Sequence, residues 1–425
     1  MAVIYRQEIL QDIIFFTSAP KAQFYDKLFL NLDLSEFPDS AAKTGRNGFS
    51  KRALLYAFIV MKCECFSCIT DLVNYLNNNL IIAHYCGFNI IKPLPSYWTF
   101  DRFIRKLDNT LLKKLMQSQV LKLSEMGFID TSFIALDSTP VNANTRHNNP
   151  KSFTKNKFSK DNQPKSDNDC GLGVHTASNQ HNERNFEYYW GYKNHILVNF
   201  ITGLPIYELT TSANVSDSTV ALDILSQTNS FLSVDECTFL ADKGYDVKAI
   251  YNTVKELYHG DCIIPLNKRN TKDHKKLAGG HPICEAGLAM HKDGRFSDNG
   301  RTRQKYCCPL KSSRCVSCPC DHKNWNNGKK HRGCTKYVTV PDDYRLSIDR
   351  ECISFKKLYA LRTEAERYNS RFKQTGQERL WVHSFNAAQN LNSVAHIALL
   401  AVALAAIVTK SNSSYRCLKS VKRTA

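Results

Sequence analysis

Acid is what this sequence is short of. Lysine and arginine together number 57 against 39 aspartates and glutamates, a formal net charge of +18. An excess of that size favours a polyanionic partner, because cationic groups seated on phosphates release condensed counterions. A merely basic soluble protein is the alternative reading of charge alone. No signal-peptide pattern opens the chain: MAVIYRQEILQD carries acids and has no apolar core. Without secretion, the 16 cysteines are not expected to form a disulfide framework, and reduced thiols or a metal site fit better. A membrane-length apolar run is missing too. Residues 394–408 (VAHIALLAVALAAIV) fall short of a bilayer core of about 30 Å and contain His396, so they read as a buried helix. Internal repeats and long low-complexity runs are absent. Hydrophobic residues make up 43% and charged residues 23%, the balance of a folded chain whose core needs no staple. A length of 425 residues suggests two or three domains.

The hydrophobic pattern changes character along the chain. Residues 1–125 read as mostly helical. Residues 52–62 (RALLYAFIVMK) form a strongly apolar helix that Ser50 can cap, and Ser96 can cap a second one, SYWTFDRFIRKL. In that second helix Phe100, Phe103, Ile104 and Leu107 recur at helical spacing, and Arg102, Arg105 and Lys106 lie on the other face. A helix against DNA phosphates and a solvated basic face suit this pattern equally. From residue 133 the pattern becomes short apolar runs: FIALD at 133–137, HILVNF at 195–200, LPIYELTT at 204–211, CTFLA at 237–241 and CIIP at 262–265. Thr202-Gly203 marks a hairpin turn between the second and third runs. A helix capped by Asp217 or Ser218 and another over residues 247–257 fill two of the gaps. Residues 146–185, rich in Asn, Lys and Ser, are expected to be a long mobile loop. Arg146, Lys151, Lys155, Lys157, Lys160 and Lys165 lie in it, suited to tracking DNA or to a plain linker. The order strand, strand, strand, helix, strand, helix, strand is that of a ribonuclease H-like fold, an α/β class.

Three acids stand out against this frame. Asp137 ends the first strand and Asp242 follows the fourth, positions that in α/β sheets face the site crevice. Each taken alone also suits a helix cap. Glu366 lies on a helix that begins near Phe355. On one continuous helix Tyr359, Arg362, Glu366 and Lys373 share a face to within about 60°, with Glu364 about 160° from Glu366. The helical period predicts that Glu364 points elsewhere and that Glu364→Gln is close to silent. Periodicity alone makes such a stripe an ordinary solvated face. His195, on the second strand, is expected in the core or at an edge rather than at the acids.

The spacing Tyr359-x2-Arg362-x3-Glu366-x6-Lys373 resembles the Y-R-E-K motif of insertion-sequence transposases of the Asp-Asp-Glu (DDE) class. LDSTPVNAN around Asp137 and LADKGYD around Asp242 resemble that family's two acidic motifs. The run YYWGYKNHILVNFITGLPIYELTTSANVSDS resembles its second and third strands, and residues 46–107 its helical N-terminal domain. The motifs come in the family's order, with an insertion between the last core strand and the glutamate helix.

What the resemblance implies is specific. The fold is a ribonuclease H-like catalytic core with a helical N-terminal domain and an inserted cysteine-rich subdomain. The expected boundaries are a DNA-binding domain at 1–125, the first part of the core at 126–266, the basic insertion at 267–350, the C-terminal core helices at 351–410 and a basic tail at 411–425. Asp137, Asp242 and Glu366 are the catalytic carboxylates, holding two Mg2+ or Mn2+ ions about 3.5–4 Å apart, with Asp137 as the bridging ligand. Tyr359, Arg362 and Lys373 grip DNA phosphates, although Tyr359 equally suits packing. The partners are double-stranded DNA, as transposon ends and target, and a second copy of the chain on that DNA, with no membrane. The location implied is a bacterial cytoplasm, at the nucleoid. The activity is cleavage of transposon ends and their joining to target DNA. A ribonuclease H-fold nuclease without strand transfer and a catalytically inactive DNA-binding derivative are the alternatives.

The insertion has its own chemistry. Cys315-x2-Cys318 is a zinc-knuckle spacing, and Cys308 and Cys334 complete a set of four thiolates for a structural zinc. His281, His322 and His331 compete as ligands, and a loop-rich subdomain with reduced thiols is the plain alternative.

Overall fold

The computed structural model describes residues 18–39, 48–178, 184–267, 281–310, 333–339, 344–409 and 415–424. It is a mixed α/β structure that divides into two compact units. The first comprises residues 1–131, 136–233 and 364–425, and the second residues 132–135 and 234–363.

The first unit opens with six helices: α1 (Pro20–Asn31), α2 (Lys51–Cys63), α3 (Ile69–Asn78), α4 (Leu80–Tyr85), α5 (Tyr97–Lys106) and α6 (Asn109–Glu125). Helix α2 is buried along almost its whole length, and the Ser50 hydroxyl accepts from the Ala53 amide as the expected cap. Helix α5 is two-faced. Phe100 and Ile104 are buried, whereas Arg102, Arg105 and Lys106 are exposed. Ser96 occupies its cap position without bonding the backbone; its hydroxyl instead lies 3.4 Å from that of Thr99.

Four strands follow. β1 (Phe133–Asn142) enters the first unit at Leu136 and lies beside β3 (Arg184–Asn199). β2 (Gly171–Ser178) is antiparallel to the first half of β3, from Gly171↔Gly191 to Ser178↔Arg184. β4 (Pro205–Ser212) is antiparallel to the second half, from Tyr192↔Ser212 to Val198↔Pro205. The β3–β4 turn is the expected hairpin: Asn199 Oδ1 accepts from the Ile201 and Thr202 amides, and Gly203 takes φ +68°. Helix α7 (Asp217–Asn229) comes next, with Ser216 at its cap position.

The expectation of a mobile loop over residues 146–185 is corrected. It contains β2, and the preceding segment is tied to β3. The Trp190 indole donates to the Lys157 carbonyl at 2.6 Å, and the Tyr192 hydroxyl to Asp167 at 2.7 Å. The Asn148 side chain bonds both the amide and the carbonyl of Trp190. β2 escapes the hydrophobic pattern because GLGVHTAS carries two glycines and exposes Val174.

Helix α12 (Phe385–Val408) forms the centre of the first unit. It is long and apolar enough to span a membrane, but 83% of its most apolar window is buried inside the protein. Each polar group on its buried stretch has a partner, as burial demands. Asn390 donates to the Ile104 and Leu107 carbonyls, Asn392 to Thr210, and Ser393 to Glu208 at 2.6 Å. His396 bonds Asn194 at 2.9 Å and the Tyr368 hydroxyl at 2.7 Å. Glu208, fully buried, also bonds Asn194 and pairs with Lys113. Burial pushes the His396 imidazole down to about 4, outweighing the pull of Glu208, so it sits in the core uncharged. His195 is likewise a core residue, hydrogen-bonded to Thr211 and pushed by burial to about 4.

The second unit is built on a parallel ladder. Phe133, Ile134 and Ala135 at the start of β1 pair with Thr238, Phe239 and Leu240 of β5 (Thr238–Leu240), which pairs in turn with β6 (Asp261–Ile263). Between them runs α8 (Lys248–Asn252), continued by a π-helical turn, Thr253–Leu257. Arg350 is buried against this group, donating to the Ile264 carbonyl and the Tyr251 hydroxyl. A separate antiparallel sheet of β7 (His291–Asp298), β8 (Arg301–Cys307) and β9 (Thr335–Thr339) covers a small core of Cys284, Met290, Tyr306, Cys308 and Cys334. Two helices, α9 (Tyr344–Ser347) and α10 (Ile353–Ala360), complete the unit.

The single helix expected from Tyr359 to Lys373 is not formed. Helix α10 ends at Ala360, α11 runs Thr363–Phe372, and Lys373–Gln377 is a π-helical turn. At the break, Leu361 and Arg362 make tight bonds back to Leu358 and Tyr359. The Thr363 hydroxyl donates to the Ala360 carbonyl, the acceptor that a continuous helix would offer to its backbone. The face arithmetic therefore holds only within α11. There it separates Glu364, which is buried, from Glu366, which is exposed.

Glu364 is not the idle residue that its sequence position implied. Its carboxylate accepts from Arg371 at 3.2 Å and Arg367 at 3.1 Å, with Arg416 at 3.5 Å. Arg371 also donates to the Gly203 carbonyl. A side chain at Gly203 would stand 2.3 Å from Glu364 Oε1, so the turn must be glycine to dock here.

Two outcomes follow for stability. Glu364→Gln, expected to be silent from the sequence, should instead cost about 2 kcal/mol, since it strips the charge from a buried carboxylate whose arginines are partly solvated. Chemical denaturation of the two proteins measures it. His195 and His396 have folded pKa values of about 4 against 6.5 unfolded, so the unfolded chain binds more protons between these limits. Their contribution is complete above pH 6.5 and is lost as pH falls toward 4, on the order of 3 kcal/mol for each. Melting curves should show this decline, and His396→Gln should start less stable at pH 7.5 but lose less on acidification.

Candidate functional site

Three buried residues, Ile134, Ala135 and Leu136, anchor β1 and deliver Asp137 at the point where the strand becomes half-buried. Its carboxylate is held from α11: Asn369 Nδ2 donates to Asp137 Oδ2 at 3.0 Å. Glu366 stands on the same helix, three residues before Asn369, and residues so spaced are neighbours on a helix surface. The structure thus brings the helix of the predicted glutamate to the predicted aspartate of β1. Periodicity did not single out Asn369. Its one signal is the three-residue offset from Glu366.

Helix α11 is fixed by its other faces. Phe372 is buried and stacks on His396 at 4.6 Å between ring centroids, and Tyr368 bonds the same imidazole. Glu364 and Arg371 hold an adjacent side at the Gly203 turn. Lys373, half-buried, opens the π turn. That turn closes at Gly376 with φ +87°, where a Cβ would lie 2.8 Å from the Phe66 carbonyl oxygen. Beyond it Gln377 accepts from the buried Lys62 ammonium at 2.6 Å and donates to Asn392 at 2.8 Å. Burial pushes Lys62 down to about 7.

Asp242 belongs to the second unit. It directly follows the buried Phe239, Leu240 and Ala241, and its Oδ1 accepts from the Gly244 amide at 2.7 Å, capping a turn of 3-10 helix. The cap reading and the functional one are compatible, because a carboxylate has a second oxygen. In the parallel ladder Ala135 pairs with Leu240, and each strand's acid comes two residues later.

Tyr359 and Arg362 lie in the second unit, on either side of the helix break. The Tyr359 ring stacks on Phe355, and the Arg362 guanidinium sits over that ring at 5.7 Å. Tyr359 is therefore a packing platform for Arg362. Of the thiolates expected to bind zinc, Cys308 and Cys334 are buried in one small core together with Cys284, which sequence reasoning left out. Cys315 and Cys318 lie outside the described residues, as do His322 and His331. His281 bonds the Met290 carbonyl and Asp349. Arg146, Lys151, Lys155, Lys160 and Lys165 are exposed on the first unit, with Phe153 98% exposed among them; Lys157 is half-buried.

Comparison with known proteins gives a distant structural likeness and a family match. A solved structure described as the cryo-EM structure of a piggyBac transposase synaptic complex with hairpin DNA aligns with 98% of this chain and 79% of its own, at 10% identity and a TM-score of 0.38. No curated protein matches the chain. The family described as "Transposase DDE domain" matches residues 129–401, well over half of the sequence. The match runs from before Asp137 to within the buried helix α12 and includes Asp242 and Glu366. The chain is a member of the DDE transposase family.

Proposed function

We propose that this protein cuts DNA at the ends of a mobile element and joins the freed ends to target DNA, using Asp137, Asp242 and Glu366 as ligands for divalent cations. The observation that carries the reading is the hydrogen bond from Asn369 to Asp137, which ties the helix bearing Glu366 to the middle of β1. The equal two-residue offset of Asp137 and Asp242 beyond a paired position supports the inclusion of the second aspartate. The succession of β1, β3, β4, β5 and β6, antiparallel at first and then parallel, supports a ribonuclease H-like core. β2 is an addition to that order.

The donor types suit magnesium, although among the described residues no three or more His, Cys, Asp or Glu side chains are gathered closely enough to hold an ion. Three carboxylates and a nearby amide oxygen are hard oxygen ligands, and Asn369 Oδ1 is buried without a hydrogen bond from any described residue. Bound cations supply charge relief on the phosphorane-like transition state and a lowered pKa for the attacking hydroxyl. The chain's own groups bind and orient. Arg362, steadied on the Tyr359 ring, and Lys373, at the start of a clamped turn, take DNA phosphates. In the first reaction, water oxygen attacks phosphorus at the element's end and the bond to the 3′ oxygen breaks, leaving a 3′-hydroxyl. In the second, that hydroxyl attacks a target phosphodiester and displaces its 3′ oxygen. The exposed cations of residues 146–165 and the net charge of +18 suit a DNA substrate. A second copy of the chain on the DNA is part of the proposal, since two ends are processed. In the second unit, Cys308 and Cys334 are proposed to share a structural zinc with Cys315 and Cys318.

Asp137→Asn, Asp242→Asn and Glu366→Gln should each lower strand cleavage at least about a thousandfold, the loss of roughly 4 kcal/mol of transition-state stabilisation, while binding to end DNA persists. Gel assays of cleavage, joining and binding read the three steps separately. Cleavage without joining in the native protein would make it a nuclease, and binding alone would make it an inactive derivative. For the zinc, metal released on denaturation should approach one ion per chain and vanish in a protein with Cys315→Ser and Cys318→Ser. Equal zinc in both proteins would remove that site.

A further inference from the structure

We propose that Asn369 is a fourth member of the proposed site: a positioning residue that fixes the Asp137 carboxylate through its amide nitrogen and presents its amide oxygen to the divalent cation or to that cation's water shell. The inference rests on the reading of Asp137 as a metal ligand, and it names a residue outside the acidic triad and outside the Tyr-Arg-Glu-Lys spacing.

Two observations meet at this side chain. Nδ2 donates to Asp137 Oδ2 at 3.0 Å. Oδ1 is buried and has no hydrogen-bond partner among the described residues, in a side chain only 8% exposed. A buried amide oxygen left without a donor forfeits its hydration, so a fold retains one where something else satisfies it. The two ends of an amide are 2 Å or so apart, so the unpaired oxygen lies close to the carboxylate that its nitrogen holds. A cation drawn to Asp137, or a water in its shell, is the kind of group that satisfies both. Magnesium keeps several of its waters, and each is a donor in search of an acceptor such as this one.

The residue type fits the task. Aspartate at position 369 would keep an acceptor but face Asp137 with like charge. Leucine would leave Asp137 unsupported. Lysine would supply a donor and a competing cation. Asparagine gives a neutral donor and an acceptor on separate atoms of one short side chain. Its helix carries Glu366 one turn earlier and is held by His396 through Tyr368 and by Gly203 through Arg371, while the turn that follows it is held by Lys62 through Gln377. The amide is therefore delivered from a rigid support, as partners of metal ligands usually are.

The test uses the full chain with Mn2+ as probe, and native, Asn369→Ala, Asn369→Asp and Asp137→Asn proteins side by side. Paramagnetic resonance of free Mn2+ gives affinity without any turnover. Loss of an outer partner typically weakens a metal about 10–100-fold, and Asn369→Ala should show a fall in that range with its metal-free melting point lowered only slightly. Asn369→Asp should melt lower than native without Mn2+, because two carboxylates then face each other, and should gain more than native when Mn2+ is added. A purely structural asparagine would give a lower melting point with the same gain as native. Should Asn369→Ala fail to fold, the Asn369→Asp comparison decides. Native affinity in Asn369→Ala, with binding lost in Asp137→Asn, would overturn the role of Asn369 and leave Asp137 standing. Equal binding by native and Asp137→Asn proteins would remove Asp137 as a ligand, and the proposal for Asn369 would fall with it.

Discussion

The first unit depends on one constraint: an apolar helix has been buried with polar groups on it, and each must find a partner inside. Helix α12 could not sit in the core if Asn390, Asn392, Ser393 and His396 were left dry and unpaired. Between them they reach four elements, so their bonds act as coordinates. Asn390 locates the end of α5, Asn392 and Ser393 locate β4, and His396 locates β3 and α11 together. Hydrophobic burial supplies the driving force, but it is non-directional. The directional bonds determine where α11 stops turning and sliding, and with it where Glu366 and Asn369 stand.

The chemistry inherits its geometry from this arrangement. Helix α11 is fastened to α12 on one side and to the β3–β4 turn on another, so the face that remains carries Glu366 outward and Asn369 toward Asp137. Glu364 shows how closely the two roles are interleaved. Two residues from the proposed ligand, a second glutamate serves as the counter-charge of three arginines, two of which, Arg371 and Arg416, bond the turn.

Much of this was legible in the sequence, for reasons that can be stated. The apolar runs before Asp137 and Asp242 are buried and fix where each acid emerges, but Asp137 does not end its strand as expected: β1 runs on to Asn142, with the polar Ser138 and Thr139 hiding the continuation. The hairpin at Gly203 was legible because its turn needs a positive φ. The buried helix around His396 was legible from the histidine within its apolar stretch, whereas its length was underestimated: the whole helix is long and apolar enough to cross a bilayer. What escaped was decided at long range. The break at Leu361 and Arg362 is marked by tight backbone turns and a threonine hydroxyl bonded to the Ala360 carbonyl, which periodicity does not register. β2 has no hydrophobic alternation because its partner, not its own pattern, makes it a strand. Asn369 has no signature beyond its offset from Glu366, since its meaning lies in a contact with a residue more than two hundred positions away. Cys284 escaped for the same reason: the spacing of Cys315 and Cys318 draws the eye, whereas its company with Cys308 and Cys334 exists only in space.

Lys62 has a consequence of its own. It is fully buried, its proton is weakly held near neutrality, and the group it meets is the uncharged amide of Gln377 rather than a carboxylate. A neutral amine still has hydrogens to give, so the contact outlives ionisation. The peg that secures the Lys373 turn to α2 is thus indifferent to whether the amine is charged, a tolerance that a salt bridge in the same place would lack.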